Sequence, residues 1–424
     1  MSSFNPIEKL IARTLSSSPT LKNKVKLIYQ KIMYLKHKKN YSYKSEFEIG
    51  FVGNTECESF FGYYDKCPQN DVGLVLVNET KYDTRQLPNH TVPIDVCVYD
   101  INNEIIFKVK SYSYNWQQGC RSVWINSDMF ICNDFNQETR AFVARQYSLS
   151  SGGLVNEFDK PIQDSFEDKY FLSLNYQRLA TLRPDYGYTN KGLLDDSSIK
   201  SLDEDGVFYV DMKSGKSKLL ISLSEAATFN SDFDSRSDHK INHVMISPSG
   251  HHFIFMHRSI NSNGERSDRL LLADINGNLL KILSNNKMVS HCHWLDDNTV
   301  LGFLRGPNNV DTYWKIDTRT GQISELGNTG IASYGDGHPT IVDGFLVTDT
   351  YPDKSRMQRL MFSDLDTDSF LLLGEFYHSF EFSHETRCDL HPRLSLDKKK
   401  VFFDSVYTGK RRLCYINLDK KVTE

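Results

Sequence analysis

Apolar and polar positions alternate along this chain in a repeating unit. An apolar run of strand length meets a short polar turn and a second apolar run follows: VCVYDINNEIIFKV, ARQYSLSSGGLVNEF, VFYVDMKSGKSKLLI, LLLADINGNLLKIL, YWKIDTRTGQISEL, MFSDLDTDSFLLLGEF and LCYINLDKK. The turns are marked by Asp100, Ser148, Asp211, Asp274, Asp317, Asp364 and Asn417. A further strand-like run precedes each turn, from GLVLVNE at 73–79 to KVFFDSVY at 400–407. A period of about 40–50 residues with insertions is the signature of four-stranded propeller blades. The pattern therefore predicts an all-β, seven-bladed β-propeller over residues 46–424. Such a ring must close to leave no exposed edge, and FEIGFV at 47–52 is the candidate strand to complete the last blade. The polar stretch 177–204 reads as an insertion in the third blade, the kind of loop that often carries function.

Residues 1–45 follow another period. Leu21, Val25, Ile28, Tyr29, Ile32, Met33 and Leu35 recur near 3.6 residues, which predicts an amphipathic helix. Seven lysines share that stretch, and Glu8 is the one acidic residue of the first 45. The whole chain carries −4, so a basic arm precedes an acidic body. Two readings stand: the helix packs on the propeller, or residues 20–40 lie on an anionic membrane surface, where each lysine near the lipid adds about 1 kcal/mol. Nucleic acid is not expected as a partner, because no recognition motif is present and the acidic body opposes phosphate.

Composition narrows the class further. Tyr (22) and Phe (26) are plentiful and Pro (12) scarce, which excludes a disordered chain. No apolar run reaches membrane-spanning length, and no secretory signal is apparent. The eight cysteines form no C-x-x-C pair and several sit inside apolar strands. They read as reduced, buried thiols. The expected location is the cytoplasm, with a peripheral position on the inner membrane if the arm binds lipid.

The candidate chemistry lies where the chain leads into the C-terminal blades. INHVMISPSG holds His243, VSHCHWLDDN holds His291 and His293, DGHPTIVDG holds His338, and CDLHPRLSLD holds His391. Equivalent positions of successive blades surround one axis, so four of these histidines should meet there. Neutral imidazoles with carboxylate co-ligands suit a divalent metal. Asp389 and Asp336 each precede a histidine by two residues, on the same side of a strand. The same imidazoles could serve as acids and bases. Arg258, Arg266, Arg269 and Arg393 suit a carboxylate- or phosphate-bearing substrate. In the first blades, ESFFGYYDKCP (Glu58, Tyr63, Tyr64, Asp65) and QQGCRSVWI (Gln117, Arg121, Trp124) set aromatic rings beside polar groups, a combination suited to sugars. Each of these residues has a structural alternative in blade packing.

Over about residues 239–418 the chain resembles the oligogalacturonate lyases and their propeller relatives. INHVMISPSGHHFIFMHR, SDRLLLADINGN, SHCHW and HPRLSLDKKKVFFDSVYTG carry the resemblance. Those enzymes are seven-bladed propellers that cleave short uronate chains by β-elimination with a divalent metal. The resemblance implies Arg269 as the base, His291 as an active-site histidine, and His338 and His391 as metal ligands. Where the family has His-Pro-His-Pro, this chain reads Asp389-Leu390-His391-Pro392, so Asp389 replaces one ligand histidine. The family's glutamine ligand has no evident counterpart.

Three functions follow. The first is a carbohydrate-active enzyme on a uronate-type or cell-surface glycan, with Arg269, His291 and His243 catalytic. Arg121, Tyr64, Glu58, Arg258 and His293 would bind substrate, and His338, His391 and Asp389 a divalent metal, manganese first. The second is a glycosyltransferase or other glycan-assembly enzyme at the inner membrane face, against which the lack of a glycine-rich phosphate loop counts. The third is a non-catalytic propeller scaffold.

Overall fold

The computed structural model describes residues 19–418 apart from 231–235, 328 and 368. The early apolar segment Ile7–Leu15 lies outside the described residues. Seven antiparallel sheets follow one another along the chain, each running from an innermost strand at the axis to an outermost one. Blade 1 is Glu58–Phe60, Val75–Thr80, Ile94–Tyr99 and Ile105–Ser111; blade 4 is Asp238–Ile246, His252–Ile260, Arg266–Asp274 and Leu279–Ser284. The innermost strands of blades 5, 6 and 7 are Val289–Asp296, Thr340–Val342 and Arg393–Leu394.

The strand sequences follow from the packing of blade on blade. Middle strands have a neighbouring blade on both faces, so they read as unbroken apolar runs such as Phe253–Met256 and Leu270–Ala273, all buried. Outermost strands face water on one side and alternate, as Ile105–Ser111 does. The aspartates that mark the repeat are turn formers: their carboxylates accept backbone N–H groups two to four residues on. Asp100 takes those of Asn102 and Glu104 at 2.9 and 2.8 Å, and Asp274 those of Asn276 and Asn278 at 2.9 and 3.0 Å.

The ring closes as the pattern requires. Ile49–Val52 pairs with Arg412–Asn417 as the outer strand of blade 7, with Ile49 opposite Ile416 and Val52 opposite Leu413. Two residues of the arm, Tyr43 and Lys44, add a short strand to the outer edge of blade 6, opposite Phe376 and Glu375. Before them runs the helix Pro19–His37. Tyr34 seats it, its ring lying between those of Tyr377 and Phe380 at 5.8 and 5.6 Å. Ile28, Ile32 and Leu35 point away from the propeller and are 59, 58 and 68% exposed. Among the described residues no helix is long and apolar enough to cross a membrane. All eight cysteines are unpaired and seven are buried.

The insertion 177–204 connects the second and third strands of blade 3. It folds as helices Tyr176–Leu182 and Asp196–Lys200 with a short turn, Pro184–Tyr186. Asn175 caps the first helix by accepting the N–H groups of Gln177 and Arg178, both at 3.0 Å. The Pro184–Tyr186 turn packs across the axis against His384–Thr386, in the segment leading into blade 7.

Candidate active site at the propeller axis

Four histidines from four consecutive blades meet at the axis, as the repeat predicts. The ring centre of His338 lies 4.1 Å from that of His291 and 4.3 Å from that of His391; His243 stands 6.1 Å from His291. Two devices aim them. His243 and His391 hold φ of 54° and 44°, the left-handed region that costs a side-chain-bearing residue and is retained mainly where the surroundings require it. The innermost strands of blades 4 and 5 also shift register at the histidines, between Asn242 and Met245 and between Val289 and Cys292. Such bulges re-aim side chains next to active sites.

Three imidazoles are held through Nδ1. That of His338 lies 2.8 Å from Asp349, whose carboxylate also accepts the backbone N–H groups of His338 and His391 at 2.8 and 3.1 Å. That of His391 lies 2.9 Å from the carbonyl of Gly62, and that of His291 3.1 Å from Asp336. An Nδ1 that faces an acceptor carries the proton, which leaves Nε2 as the lone-pair nitrogen. The buried Nε2 atoms of His338 and His391 have no hydrogen-bond partner. One ligand atom each from His338, Asp389 and His391 lie within 4.8 Å of one another. Two orphaned imidazole nitrogens beside a carboxylate, each ring oriented by a second acceptor, form a donor set that fits a divalent cation.

The surroundings shift the axial histidines in different directions. Burial opposes charge on His338, but Asp349 outweighs it and holds His338 above the ordinary histidine range. Burial, reinforced by the neighbouring His338, keeps His291 and His391 below it. Burial and Arg258 do the same for His243. Asp389 stays ionised despite burial because Arg387 grips both its oxygens at 2.9 and 2.8 Å.

Tyrosines floor the cluster. The hydroxyl of Tyr63 lies 2.8 Å from His243 Nδ1, and its ring packs edge-on to His391 and Tyr186. Burial raises its phenol well above the usual range, so it keeps its proton. Tyr64 sets its ring 5.5 Å from His338 and donates its hydroxyl to the carbonyl of Cys292 at 2.9 Å. The insertion supplies Tyr186, over which the Arg183 guanidinium lies at 4.8 Å.

Other expected site residues are placed differently. Arg269 is not brought to the histidines. Its guanidinium caps the helix Leu223–Thr228, donating to Phe229 O at 3.0 Å and to Ala226 O, and it meets His257. A basic side chain satisfies the free carbonyls of a helix end, so the expectation of Arg269 as base is corrected on this geometry. Glu58 is taken up by Thr84 and by the N–H of Arg411 at 2.8 Å, and buttresses blade 1. Arg121 forms a two-pronged pair with Asp65, both contacts at 2.8 Å, which ties blade 2 to the segment carrying the tyrosines. His293 turns Nδ1 to the carbonyl of Trp294 at 2.8 Å, and burial lowers it to about 4. Arg258 stays beside His243, bonded to Asn242, Asp268 and Val289 O. Asp349, Tyr186 and Arg387 were not singled out from sequence. Asp349 falls inside the apolar run GFLVTDTY, where an aspartate is the one visible anomaly.

The molecule is thus a seven-bladed propeller with a closed histidine, carboxylate and tyrosine centre on its axis. No family model matches the chain, and no curated protein sequence does. Solved structures do. An oligogalacturonate lyase in complex with manganese is 13% identical, with 92% of this chain and 96% of that chain covered and a TM-score of 0.54. An oligogalacturonate lyase from Vibrio parahaemolyticus is 10% identical, covering 90% and 97%, with a TM-score of 0.55. The propeller domain of the Trilobed protease from Pyrococcus furiosus is 9% identical over 86% and 93%, with a TM-score of 0.48. At 13 and 10% identity the likeness to the two lyases establishes the fold alone.

Proposed function

We propose that the axial cluster is the catalytic centre of an enzyme that cleaves an anionic, uronate-type glycan by β-elimination. The observation that carries this is the pair of buried, unpartnered Nε2 atoms of His338 and His391 beside Asp389. Fixed polar atoms buried without partners are costly unless a ligand satisfies them. His338, His391 and Asp389 would hold a divalent metal, manganese being the first candidate. When bound there, a cation neutralises the substrate carboxylate and so acidifies the adjacent C5–H.

The chain's own residues supply the proton transfers. His291, neutral and oriented by Asp336, accepts the C5 proton at Nε2. The C5–H electron pair becomes the C4=C5 double bond, and the C4–O bond breaks toward the leaving sugar. Tyr63 gives that oxygen its phenolic proton, with His243 within hydrogen-bond reach of the phenolate left behind. Solvent restores the proton to Tyr63 and takes one from His291, so the cycle balances without a redox partner. Each axial histidine is at most 5% exposed, so substrate entry requires the packing around the axis to open. Incubation with a panel of uronate glycans and manganese is expected to yield unsaturated products, read by their ultraviolet absorbance. No product across the panel would sink the reading.

One observation favours a second reading, glycan assembly at a membrane. Ile28, Ile32 and Leu35 form an exposed stripe along the arm helix, flanked by the exposed Lys24, Lys31 and Lys36. An apolar stripe edged with lysines matches an anionic bilayer surface, which takes the side chains into the headgroup boundary and their ammonium groups to the phosphates. The protein is expected to co-sediment with phosphatidylglycerol-containing vesicles, and weakly or not at all with phosphatidylcholine alone. Ile28→Glu with Ile32→Glu should abolish binding, and equal binding to both lipids would overturn the assignment.

A further inference from the structure

Trp124 differs from the other tryptophans of the chain. Trp116, Trp294 and Trp314 are 1, 5 and 5% exposed, whereas Trp124, on the innermost strand of blade 2 (Val123–Trp124), is half-buried. Its indole N–H donates to Pro68 O at 2.7 Å and its ring packs edge-on to Phe130, centres 5.9 Å apart, so the ring is held in one orientation. It lines a cleft of about 390 Å³ on the face of the propeller opposite the histidines. The chain direction fixes that placement. His338 and His391 precede the innermost strands of blades 6 and 7, while the cleft is bordered by Leu396, Asp71 and Asn126, in the turns that lead from the innermost to the second strands of blades 7, 1 and 2. A cleft of this volume lies within the range of small-molecule sites.

The lining combines flat apolar surface with hydrogen-bonding groups that are fixed but not used up. Leu396 is 64% exposed at the rim. Asn126 Oδ1 accepts the N–H groups of Asp128 and Met129 at 2.9 and 2.8 Å, which sets the amide and leaves its NH2 group without a partner among the described residues. Gln69 donates weakly to Gly73 O at 3.4 Å, with its Oε1 unbonded among the described residues, and the carboxylate of Asp71 is exposed. The walls are preformed, because Asn70 Nδ2 donates to Ser127 O at 3.1 Å and so ties blade 1 to blade 2 beside the Trp124–Pro68 bond. A preformed site avoids the ordering cost of binding. Charge narrows the ligand. Lys66, the one cation among the described lining residues, pairs with Asp164, and Asp65 pairs with Arg121. With no spare cation and an open carboxylate at Asp71, the cleft opposes an acidic ligand. A rigid indole face ringed by amides and a carboxylate suits a neutral sugar, whose C–H face packs on the ring while its hydroxyls both donate and accept.

We propose that this cleft is a second carbohydrate site, remote from the axial centre, which holds a neutral sugar unit with its C–H face on Trp124 and its hydroxyls on Gln69, Asn126 and Asp71. It takes no part in bond cleavage. Its role is retention: a glycan held on this face leaves the axial face free. The proposal goes beyond the uronate reading and does not rest on it.

The test is the intrinsic fluorescence of the full chain, in which Trp124 is the tryptophan most open to acrylamide. Cellobiose, maltose, lactose and digalacturonate are the probes. At least one of the three neutral disaccharides is expected to give a saturable change and to lower acrylamide quenching about twofold or more, as a sugar covering the indole face would. Leu396→Arg lays a long side chain across the mouth from an exposed position, so it should abolish the response and leave Tm unchanged. Gln69→Ala should weaken binding about 3- to 10-fold, the worth of one hydrogen bond. The double variant His338→Ala with His391→Ala should bind the neutral sugar as the unsubstituted protein does, which separates this site from the axial centre and its reading. Loss of binding in that variant would put the sugar at the axis and overturn the proposal. So would a response to digalacturonate alone, no saturable response to any neutral disaccharide, or a response that persists in both Leu396→Arg and Gln69→Ala.

Discussion

A protein carrying His338→Ala and His391→Ala is expected to keep its seven blades and to lose at least about 10³-fold in glycan cleavage, in the range that removal of positioned acid–base or electrostatic groups costs. The substitutions remove the Nδ1 contacts to Asp349 and to the Gly62 carbonyl but none of Nε2, so they should lower stability without unfolding the blades. Asp349 also keeps the two backbone N–H groups it accepts at 2.8 and 3.1 Å. Each single substitution should cost nearly as much as the pair, since residues that act as one unit are not additive. Metal analysis provides an independent reading: the unsubstituted protein, loaded with manganese and desalted, should retain about one equivalent, and the double variant none. Full cleavage activity in a folded double variant would place the chemistry away from the axial histidines and overturn the reading.

Arg393→Ala is expected to destabilise the protein by about 3–5 kcal/mol, the cost of breaking a buried pair and leaving its partner uncompensated. Arg393 is fully buried in blade 7 and meets Asp404 at 3.0 Å, Tyr63 O at 3.1 Å and Gly62 O. Asp404 in turn accepts the N–H groups of Phe61 and Gly62 at 3.0 and 2.9 Å. One pair thereby joins the last blade to the first and anchors the segment that carries Tyr63 and Tyr64. Gly62 itself cannot be substituted freely: its φ is +120°, and an added Cβ would meet the backbone of Gln118 at 2.4 Å. Arg393→Lys should not rescue the loss, because an ammonium cannot reproduce the planar fork that reaches a carbonyl and a carboxylate together. Urea unfolding with circular dichroism measures both variants. A loss under about 1 kcal/mol for Arg393→Ala would show that this closure is not held by the pair.

The residues differ in how legible they are. The blade count could be read because the turn aspartates perform a local task, satisfying backbone N–H groups within four residues, at each repeat. The strand 47–52 could be placed because a ring with an open edge is unfavourable. The convergence of His243, His291, His338 and His391 followed from their shared repeat position. Arg269 could not be placed, since its role depends on the helix Leu223–Thr228, which the insertion of residues between blades brings against it. Glu58 and Arg121 were read as substrate-binding for their chemistry, yet their partners, Arg411 and Asp65, come from other parts of the chain. Asp349 was missed because its value lies in bonding two histidine segments, His338 11 residues and His391 42 residues away along the chain.

The sequence by itself determined the seven blades, the closing strand, the basic helical arm and the four histidines at one axis, because these depend on periodicity and on chain-local hydrogen bonding. Only the tertiary structure decided that Nε2 of His338 and of His391 is left without a partner, which acceptor holds each Nδ1, and that Tyr186 packs on Tyr63 and His243. Those properties arise from side chains that meet across blades, and a pairing between distant segments leaves no period in the chain.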